Sequence, residues 1–459
     1  MKILIKGAGD LATGIASRLY RCGHQIVMTE LEVPLTVRRS VSLSRAVYEK
    51  CAQVEDMTGI LVSSKQEAEA VLKQGDIAVV VDKEADTRRW FCPDVIVDAI
   101  LAKRNLGTSI TDAPFVIGVG PGFSAGEDCH CVVETKRGHT LGSVIWKGSA
   151  IPNTGVPGNV GGYTIERLIR AAEEGTMQAK AEIGEYVEKG QTVAVTGGVS
   201  VQAQISGIVR GMLQNGAWVK KGLKIGDIDA RCEASHCVTI SDKARAVGGG
   251  VLEAVSQFEH MRERFAFVIL AAGRGERFGR NKLKESLSGK TLYQTILQKV
   301  EAFSGYSVVV VTGDEAIKKE AEKKGFFVEK NQEPELGISH SVKLGLKKVL
   351  TIQEEIQGIL FTVSDQPNLK ISTIQRILNE AFLHPRQIIC AGNEGKTGNP
   401  VLWDAKYFPE LLKLSGDSGG RQIFKYHQKE VRIVEAEREE LRDIDRQKDL
   451  ECLRKEVGV

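Results

Sequence analysis

The segment Leu270 to Lys284, LAAGRGERFGRNKLK, holds the side chains whose types and spacing are best suited to chemistry. An apolar run, FAFVIL, ends there in Ala271, Ala272 and Gly273, whose small size lets backbone N–H groups approach phosphate oxygens. The cations that follow are Arg274, Arg277, Lys282 and Lys284. Such a loop suits a triphosphate better than an uncharged substrate, and a solvated basic loop is the alternative. We predict that this segment binds nucleotide phosphates.

A carboxylate, Asp365, follows a second apolar run, GILFTV, within the sequence Ser-Asp-Gln-Pro. Ligands of open α/β sheets bind at the carboxyl ends of the strands, which is where this side chain is expected. Carboxylate oxygen is also a ligand that magnesium prefers. The position therefore indicates a metal ligand, and the alternative is an aspartate that caps a turn.

A glycine-rich turn near the start of the chain has the spacing of a dinucleotide fingerprint. Gly7, Gly9 and Ala12 follow the run KILIK and give the pattern G-x-G-x-x-A. Glu30 lies 21 residues after Gly9, where an acidic side chain can bind a ribose. The pattern predicts a nucleotide or dinucleotide site, and a Rossmann-like turn without a nucleotide is an equal alternative.

The cysteines give a weaker signal. Asp128-Cys129-His130-Cys131 has donors for a soft metal or a chalcogen. Neighbouring residues of a strand point to opposite faces, so packed cysteines are the favoured interpretation. The nine cysteines contain no Cys-x-x-Cys pair, which argues against a zinc ribbon and a disulfide framework.

Length and composition limit the possible classes of protein. A chain of 459 residues suggests about three domains. With 62 Lys and Arg against 59 Asp and Glu, the net charge of +3 argues against a nucleic-acid binder. No apolar run approaches the ~20 residues of a membrane span, and the start, MKILIKGAGD, lacks a signal-peptide core. A cytoplasmic location is expected, with neither nucleic acid nor membrane as a partner.

The apolar pattern predicts a multidomain α/β protein. Residues 1–175 alternate short apolar runs with helical stretches, which indicates a Rossmann-like parallel sheet. Residues 176–230 are rich in glycine and valine and have no helical period, residues 231–262 form a glycine-rich connector, and residues 263–459 resume the alternation. The predicted strands are KILIKG, QIVMTE, DIAVVVD, DVIVDAI, FVIGVG, FAFVIL, SVVVVTG, GILFTVS and QIICAG. The segment ISTIQRILNEAFLHP predicts a helix with Ser372 and Gln375 as its capping box.

The central region contains a short internal repeat. The repeated positions are Gly184, Val187, Gly190 and Val193, and then Gly216, Val219, Gly222 and Ile225. Each copy predicts a turn followed by a short strand, so two copies can form a β-sandwich. The pattern resembles the barrel-sandwich hybrid of biotinyl and lipoyl carriers. The tip TGGVSVQA has no lysine, so no cofactor is expected to be attached there.

The last two hundred residues resemble the molybdenum cofactor cytidylyltransferase family. The motifs, in order, are LAAG-x-x-x-R-F-G-x-N-K, SDQP, GNPVL (398–402), GDSGGR (416–421) and DID (443–445). The resemblance covers residues 264–452 and implies a Rossmann-like nucleotidyltransferase fold of the nucleotide-diphospho-sugar transferase type. The chain departs from the family pattern at Ser364, where glycine is usual, and at Arg446, where threonine is usual.

The resemblance implies roles for individual residues. The CTP-binding residues would be Leu270, Ala271, Ala272, Gly273, Arg277, Lys282, Gly337 and Ser339. Asp365 and Asp445 would bind Mg²⁺, with Asp443 in reserve for Asp445, and Arg277, Lys282 and Asp365 would be catalytic. The acceptor-binding residues would be Asn399, Gly419, Gly420 and Arg421. The implied reaction transfers CMP from CTP to the terminal phosphate of Mo-molybdopterin and releases pyrophosphate.

The first half resembles the YqeB family, which is associated with maturation of selenium-dependent molybdenum hydroxylases. The resemblance covers residues 1–254 and is carried by KGAGDLATGIASRL, GPGFSAGEDCHCVVET, PNTGVPGNVGGYTIERL and HCVTISDKARAVGGGVLEA. It implies a fusion of an accessory unit with a cytidylyltransferase, and an apo molybdenum hydroxylase as a partner. The alternatives are transfer to another phosphorylated acceptor, a cofactor-delivery scaffold without catalysis, and a nicotinamide-dependent oxidoreductase in the first half.

Overall fold

The computed structural model describes residues 1–153, 155, 158–273, 278–279, 281–417 and 419–456. These residues form two compact units, Met1–Val255 and Ser256–Val459. Each unit is an α/β structure with a sheet of mainly parallel strands, as the sequence predicts. Among the helices of the described residues, none has the length and apolar character needed to cross a membrane.

The first unit begins with a nine-stranded sheet in the part of the chain that the structure describes. Its strands are β1 (Lys2–Lys6), β2 (Gln25–Glu30), β3 (Cys51–Val54), β4 (Met57–Val62), β5 (Ile77–Val81), β6 (Val95–Asp98), β7 (Phe115–Val119), β8 (Cys131–Val133) and β9 (Val144–Ile145). The helices are α1 (Asp10–Arg21), α2 (Ala46–Glu49), α3 (Lys65–Lys73) and α4 (Arg88–Phe91), with 3-10 turns at Arg39–Val41 and Leu43–Arg45.

The order of these strands is β3-β4-β5-β2-β1-β6-β7-β8-β9. Only the edge strands β3 and β9 pair antiparallel within it. The five runs predicted in this half are β1, β2, β5, β6 and β7, because a parallel strand covered on both faces is apolar along its whole length. Successive connections leave β1 toward β2 and return on its other side at β6, so a crevice opens beyond the carboxyl end of β1.

Two four-stranded antiparallel sheets follow and share one apolar cluster. Their strands are β10 (Leu168–Arg170), β11 (Gly175–Ala179), β12 (Tyr186–Val187), β13 (Thr192–Thr196), β14 (Val199–Gln202), β15 (Gly207–Met212), β16 (Trp218–Val219) and β17 (Lys224–Asp229). The repeat has a structural basis, since its four glycines have positive φ angles and its Val and Ile positions are buried. Gly197 and Gly198 form the predicted lysine-free tip between β13 and β14. The relation to carrier domains stays a prediction.

The glycine-rich part of the segment predicted as a connector is helical. It contains α5 (Ser235–Val238) and α6 (Asp242–Arg264), and the latter helix supplies its first turns to the first unit and its last turns to the second. A β-carbon at Gly248 would lie 2.6 Å from the carbonyl oxygen of Gly14, and one at Gly250 would overlap the carbonyl of Gly142. These glycines therefore permit close packing of a helix within the segment that the sequence predicted as a glycine-rich connector.

The second unit contains a seven-stranded sheet, in the order β22-β21-β18-β23-β25-β24-β26, and a small hairpin among its described residues. The strands are β18 (Phe265–Leu270), β19 (Ser286–Leu287), β20 (Lys290–Thr291), β21 (Ser307–Thr312), β22 (Phe327–Lys330), β23 (Gly358–Val363), β24 (Ile388–Asn393), β25 (Lys396–Asp404) and β26 (Val431–Glu435). The helices are α7 (Leu292–Glu301), α8 (Glu315–Lys323), α9 (Ile338–Ile352), α10 (Ile371–Leu383), α11 (Phe408–Leu411), α12 (Arg421–Phe424) and α13 (Gln447–Glu456). Short 3-10 helices lie at Lys282–Lys284, Pro334–Leu336, Ala405–Tyr407 and Gln428–Glu430.

The helix α10 forms where the sequence predicts one, but its predicted capping box is wrong. The N-cap residue is Lys370, and its side chain makes no capping hydrogen bond. The buried carboxylate of Glu440 accepts hydrogen bonds from the Lys370 backbone N–H (3.1 Å) and the Thr373 hydroxyl (2.7 Å). Glu440, 70 positions from Lys370, thus caps the helix in place of Ser372, because tertiary packing brings a stronger acceptor to the helix start.

Candidate active site

The site forms at the carboxyl ends of two adjacent parallel strands. β18 and β23 pair in register, with Leu270 opposite Val363. The Ser364 hydroxyl donates a hydrogen bond to the Leu270 carbonyl (3.0 Å), and the Ala271 N–H donates one to Val311 (2.9 Å). The loop that begins at Ala271 and the Asp365 segment therefore start side by side. The departure from the family pattern at Ser364 adds a bond that ties these two segments together.

Lys282 brings two distant carboxylates to one point. It opens the 3-10 helix Lys282–Lys284, whose start is capped by the Asn281 side chain. Its Nζ donates hydrogen bonds to Asp365 Oδ2 (2.6 Å) and to Asp445 Oδ1 (3.1 Å). Burial lowers the pKa of Lys282, but the two carboxylates outweigh that effect, and the net shift of the pKa is upward. The ammonium is therefore charged at neutral pH and is shared between both carboxylates.

Asp443 is the third carboxylate of this group. Its pKa is raised to about 6 by burial first and then by the nearby charge of Asp365. Gln366 donates hydrogen bonds to Asp443 (3.0 Å) and to the Leu441 carbonyl (3.1 Å). The Ile444 N–H donates to the Asp365 carbonyl (3.0 Å). These bonds hold the D-Q-P and D-I-D segments against each other.

The carboxylates meet the requirements of a hydrated divalent cation, though not those of a closed metal cage. Asp365 Oδ1 is buried and has no hydrogen-bond partner among the described residues. Within the described ranges, no three His, Cys, Asp or Glu side chains are arranged to hold a metal by themselves. Magnesium commonly takes one or two carboxylates and completes its shell with phosphate and water. Asp365 and Asp445 suit that mode of binding.

A cavity of about 640 Å³ lies beside this group. Its size is within the range of small-molecule sites. The residues that line it and were predicted to bind CTP are Leu270, Ala272, Gly273, Lys282 and Gly337. Asp365 and Asp445 line it as well, so the predicted phosphate loop and the predicted metal ligands face one space.

The start of α9 closes one side of this cavity. Gly337 has a φ of +83°, and a β-carbon there would meet the backbone of Gly416 and the Asp417 carboxylate. The Ser339 N–H donates to the Gly416 carbonyl (3.3 Å), and Ser341 Oγ accepts from Asn331 (2.9 Å). The glycine is thus required by a close approach of two loops, and the buried serines fasten the helix start.

A second cavity, of about 430 Å³, adjoins the first. All four residues predicted to bind the acceptor line it: Asn399, Gly419, Gly420 and Arg421. Its remaining wall is largely apolar and includes Phe361, Trp403 and Phe424. Asp365 and Asp417 line both cavities, so the aspartate predicted to be catalytic lies where the two spaces meet.

Three sequence-based assignments fit the site less directly. Ala271 and Ser339 are 4% and 2% exposed, and neither belongs to the described wall of either cavity. Arg277 lies outside the described residues, as does Arg274. Asp417 lines both cavities but was not predicted as a site residue, although it belongs to the GDSGGR motif that predicted its neighbours. Polar character at the centre of that motif was the available signal.

The predicted nucleotide site of the first unit has a well-defined turn. Gly7 has a φ of +96° and a β-carbon there would lie 3.2 Å from the Ala99 carbonyl oxygen. Gly9 precedes α1, and Ala12 is buried within it. The Glu30 carboxylate accepts hydrogen bonds from the N–H groups of Ala8 (3.0 Å) and Leu31 (2.8 Å), while burial raises its pKa. Glu30 is therefore committed to the turn itself.

The Cys and His cluster is structural in the part of the chain that the structure describes. His130 Nδ1 accepts a hydrogen bond from the Val116 N–H (2.9 Å). Cys129 and Cys131 are buried, and burial raises the pKa of both thiols, that of Cys129 to about 12. Protonated, packed thiols agree with the favoured interpretation.

The second unit is similar to proteins described as NTP transferases and to related proteins. Residues 267–431 match the family model described as the MobA-like NTP transferase domain. The chain is 27% identical to the purine catabolism protein PucB of Bacillus subtilis (strain 168) over 202 residues, which are 42% of this chain and 96% of PucB. The solved structure of Rv0371c from Mycobacterium tuberculosis H37Rv covers 42% of this chain and 99% of its own, with 22% identity and a TM-score of 0.36.

The first part of the chain matches a different protein. It is 46% identical to YqeB of Escherichia coli (strain K12) over 258 residues, which are 56% of this chain. The match spans about half of YqeB, 48% of its length. The chain is therefore a two-part fusion, with a YqeB-like part followed by a MobA-like NTP transferase domain.

Proposed function

We propose that the second unit transfers CMP from CTP to the terminal phosphate of Mo-molybdopterin and releases pyrophosphate. The observation that carries the proposal is the position of Asp365 on the shared wall of two adjoining cavities. Gly273 and Lys282 of the predicted phosphate-binding segment line one cavity, and Gly419, Gly420 and Arg421 line the other. Two phosphorylated substrates placed in them would meet at this aspartate.

The chemistry follows from that placement. An oxygen of the acceptor's phosphate attacks the α-phosphorus of CTP, the new P–O bond forms, and the bond to the β-phosphate oxygen breaks. The leaving pyrophosphate takes the electron pair. A phosphate monoester is already anionic near neutral pH, so the transfer requires alignment and charge neutralisation and no protein base.

A divalent cation, Mg²⁺, would be held by Asp365 and Asp445. When bound, it would neutralise phosphate charge and polarise the α-phosphate, an effect worth several kcal/mol in such enzymes. Lys282 now supplies the positive charge between those carboxylates. With the cation and CTP present, its ammonium would be released to bind the phosphates, within reach of the leaving pyrophosphate.

The second cavity favours a ring-containing acceptor over a polyol phosphate. Phe361, Trp403 and Phe424 give it an aromatic wall, and such walls bind flat heterocycles well. Arg421 supplies a guanidinium that can bind phosphate by two hydrogen bonds. A pterin with a terminal phosphate combines both features. We place the YqeB-like part as an accessory unit for maturation of selenium-dependent molybdenum hydroxylases, with an apo-hydroxylase as its partner.

The test incubates the full chain with Mg²⁺, Mo-molybdopterin and each of the four NTPs in turn, and measures pyrophosphate and the dinucleotide product. We expect product from CTP alone. A product formed only from another NTP would disprove the choice of CTP, and pyrophosphate release with no molybdopterin product would disprove the acceptor.

The variant Asp365→Asn tests the role proposed for Asp365, which lies on the wall shared by the two cavities. We expect pyrophosphate release to fall by about 10³-fold, because a metal ligand is lost while the side-chain size is kept. The control is Glu355→Gln, which removes one exposed carboxylate between α9 and β23. Near-normal release by Asp365→Asn would contradict the metal assignment.

A further inference from the structure

The first unit contains a cavity of about 670 Å³ that its predicted nucleotide turn only partly accounts for. One side comprises the start of α1, at Asp10 and Leu11, and the loop after β8, at Lys136. The facing side comes from the β-sandwich, through Arg170 of β10, Arg210 of β15 and Lys224 of β17. Both parts of the YqeB-like unit therefore contribute to one site.

The walls carry a large excess of positive charge. Among the described residues, nine Lys and Arg side chains line the cavity, together with a single carboxylate, Asp10. Four of the nine have no carboxylate within 4 Å among the residues that the structure describes: Lys103, Lys136, Arg170 and Lys243. Mutual repulsion of this kind is unfavourable unless an anion is bound.

Three of the other five cations, Arg167, Arg210 and Lys224, share the buried carboxylate of Asp227, and Arg210 also lies 3.8 Å from Asp229. The remaining two are paired, Arg38 with Asp10 and Arg137 with Asp242. Arg38 and Arg167 are 7% and 8% exposed, and the Nε atom of each has no hydrogen-bond acceptor among the described residues. The other nitrogens of both side chains donate hydrogen bonds to carboxylates and carbonyls, so these two guanidinium groups are held in place in the wall of the cavity.

The excess of positive charge also affects the pKa values of two lysines in the cavity. Burial lowers the pKa of Lys224, and Arg167 and Arg210 lower it further, against the opposing effect of Asp227. Burial likewise lowers the pKa of Lys243, and Arg137 adds to that shift, against Asp10, Glu134 and Asp242. A polyanion in the cavity would reverse both shifts.

We propose that this cavity binds a small molecule that carries at least two linked phosphate groups. A single phosphate could pair with only part of a surface whose uncompensated cations lie on both walls, whereas a second, linked phosphate group supplies acceptors for more of them. The twelve-residue helix α1 begins at the cavity and adds its N-terminal dipole to the same preference. The inference does not depend on the reaction proposed for the second unit.

The test is calorimetric titration of inorganic pyrophosphate, and separately of inorganic phosphate, into the full chain in metal-free buffer at 150 mM salt. Every titrated chain carries Lys282→Ala, which weakens pyrophosphate binding at the other unit. The cavity variant is Lys103→Gln/Lys136→Gln, at two exposed positions where folding is not at risk. A second variant, Arg170→Gln, removes an exposed cation of the facing wall. The matched control, Lys65→Gln/Lys73→Gln, removes two exposed lysines of α3.

We expect pyrophosphate to bind about tenfold or more tightly than phosphate, and each cavity variant to weaken it about tenfold or more. The control should bind pyrophosphate as the parent chain does. The proposal would be overturned if the control lost as much pyrophosphate affinity as the cavity variants, or if phosphate and pyrophosphate bound equally tightly. It would also be overturned if neither cavity variant weakened pyrophosphate binding. Tighter binding of a single-stranded oligonucleotide, abolished by the same variants, would also overturn it in favour of a nucleic-acid surface.

Discussion

Gly420 and Gly419 are neighbours with very different surroundings, and this contrast tests the acceptor cavity. A β-carbon at Gly420 would overlap the indole ring of Trp403, whereas one at Gly419 would touch only Ile338, at 3.9 Å. We expect Gly420→Ala to displace Trp403 and lower kcat/KM for the acceptor by about tenfold or more, with little change in the KM for CTP. Gly419→Ala is the matched control. Equal kinetics of the two variants would show that the Trp403 wall does not contact the acceptor.

The ammonium of Lys282 competes with a metal ion for the same carboxylates. The variant Lys282→Met is therefore expected to bind Mn²⁺ more tightly than the parent chain in the absence of nucleotide, by about tenfold. Turnover should fall by about 10²- to 10³-fold, because a phosphate-binding cation is lost. Electron paramagnetic resonance titration measures the first effect and pyrophosphate release the second.

The control for that experiment is Lys284→Met, two residues along the same turn. Lys284 pairs with Asp314 (2.7 Å), the N-cap residue of α8, and does not line the cavity within the described ranges. It should leave Mn²⁺ affinity unchanged. Weaker Mn²⁺ binding by Lys282→Met would contradict competition between the ammonium and the metal ion.

At the scale of the elements, Lys299 of α7 holds the loop between β23 and α10. Its Nζ donates hydrogen bonds to the carbonyls of Pro367 and Leu369 (2.6 Å for Leu369). Burial lowers the pKa of Lys299 from 10.5 to about 8, against the opposing effect of Glu440. Between pH 8 and 10.5 the unfolded chain therefore binds more protons, so this residue's contribution to stability rises with pH.

The difference between the parent chain and Lys299→Met isolates that contribution. We expect the difference in free energy of unfolding, parent chain minus variant, to increase by about 2–3 kcal/mol from pH 7 to pH 10. Urea unfolding of both chains at each pH provides the measurement. Lys290→Met is the control, because that lysine is exposed in the hairpin β19–β20. If the difference in unfolding free energy between the parent chain and Lys299→Met did not change with pH, the lowered pKa of Lys299 would be contradicted.

The sequence predicts the central elements well because their physics is local. Runs such as FAFVIL and GILFTV are apolar throughout, and both form strands buried in the middle of a sheet. Short edge strands such as β9 and β16 leave no comparable signal. The glycines at 248–250 indicated a connector because glycine disfavours helices, yet their contacts with Gly14 and Gly142 become visible only in the folded unit.

The same distinction applies to the site. The cationic loop and the aspartate after β23 could be predicted from residue types and strand ends. The meeting of Lys282 with Asp365 and Asp445 joins positions 83 and 163 residues apart, and no periodicity encodes it. Motif resemblance supplied those positions, and it still left Asp417 unassigned. Their catalytic roles stay predictions.

At the scale of the whole molecule, the helix α6 decides where the chain can be divided. Its last turns belong to the second unit, where Phe258 is buried and its ring lies 6.0 Å from that of Tyr306. Gln353 donates a hydrogen bond to the Glu263 carbonyl. The described residues that line the two cavities of the candidate active site begin at Leu270. A fragment comprising 256–459 should therefore fold and retain nucleotidyl transfer.

A fragment comprising 265–459 keeps every described lining residue but loses Phe258, and we expect it to be less stable than 256–459 by about 3–5 kcal/mol, the cost of removing a buried aromatic ring. In the full chain, Phe258→Ala should destabilise the second unit by a similar amount, while His260→Ala, at an exposed position of the same helix, should have little effect. Urea unfolding of the two fragments, the two variants and the parent chain measures this. Equal stability of the two fragments would mean that the end of α6 does not contribute to the core of the second unit, and its boundary would then lie at Phe265.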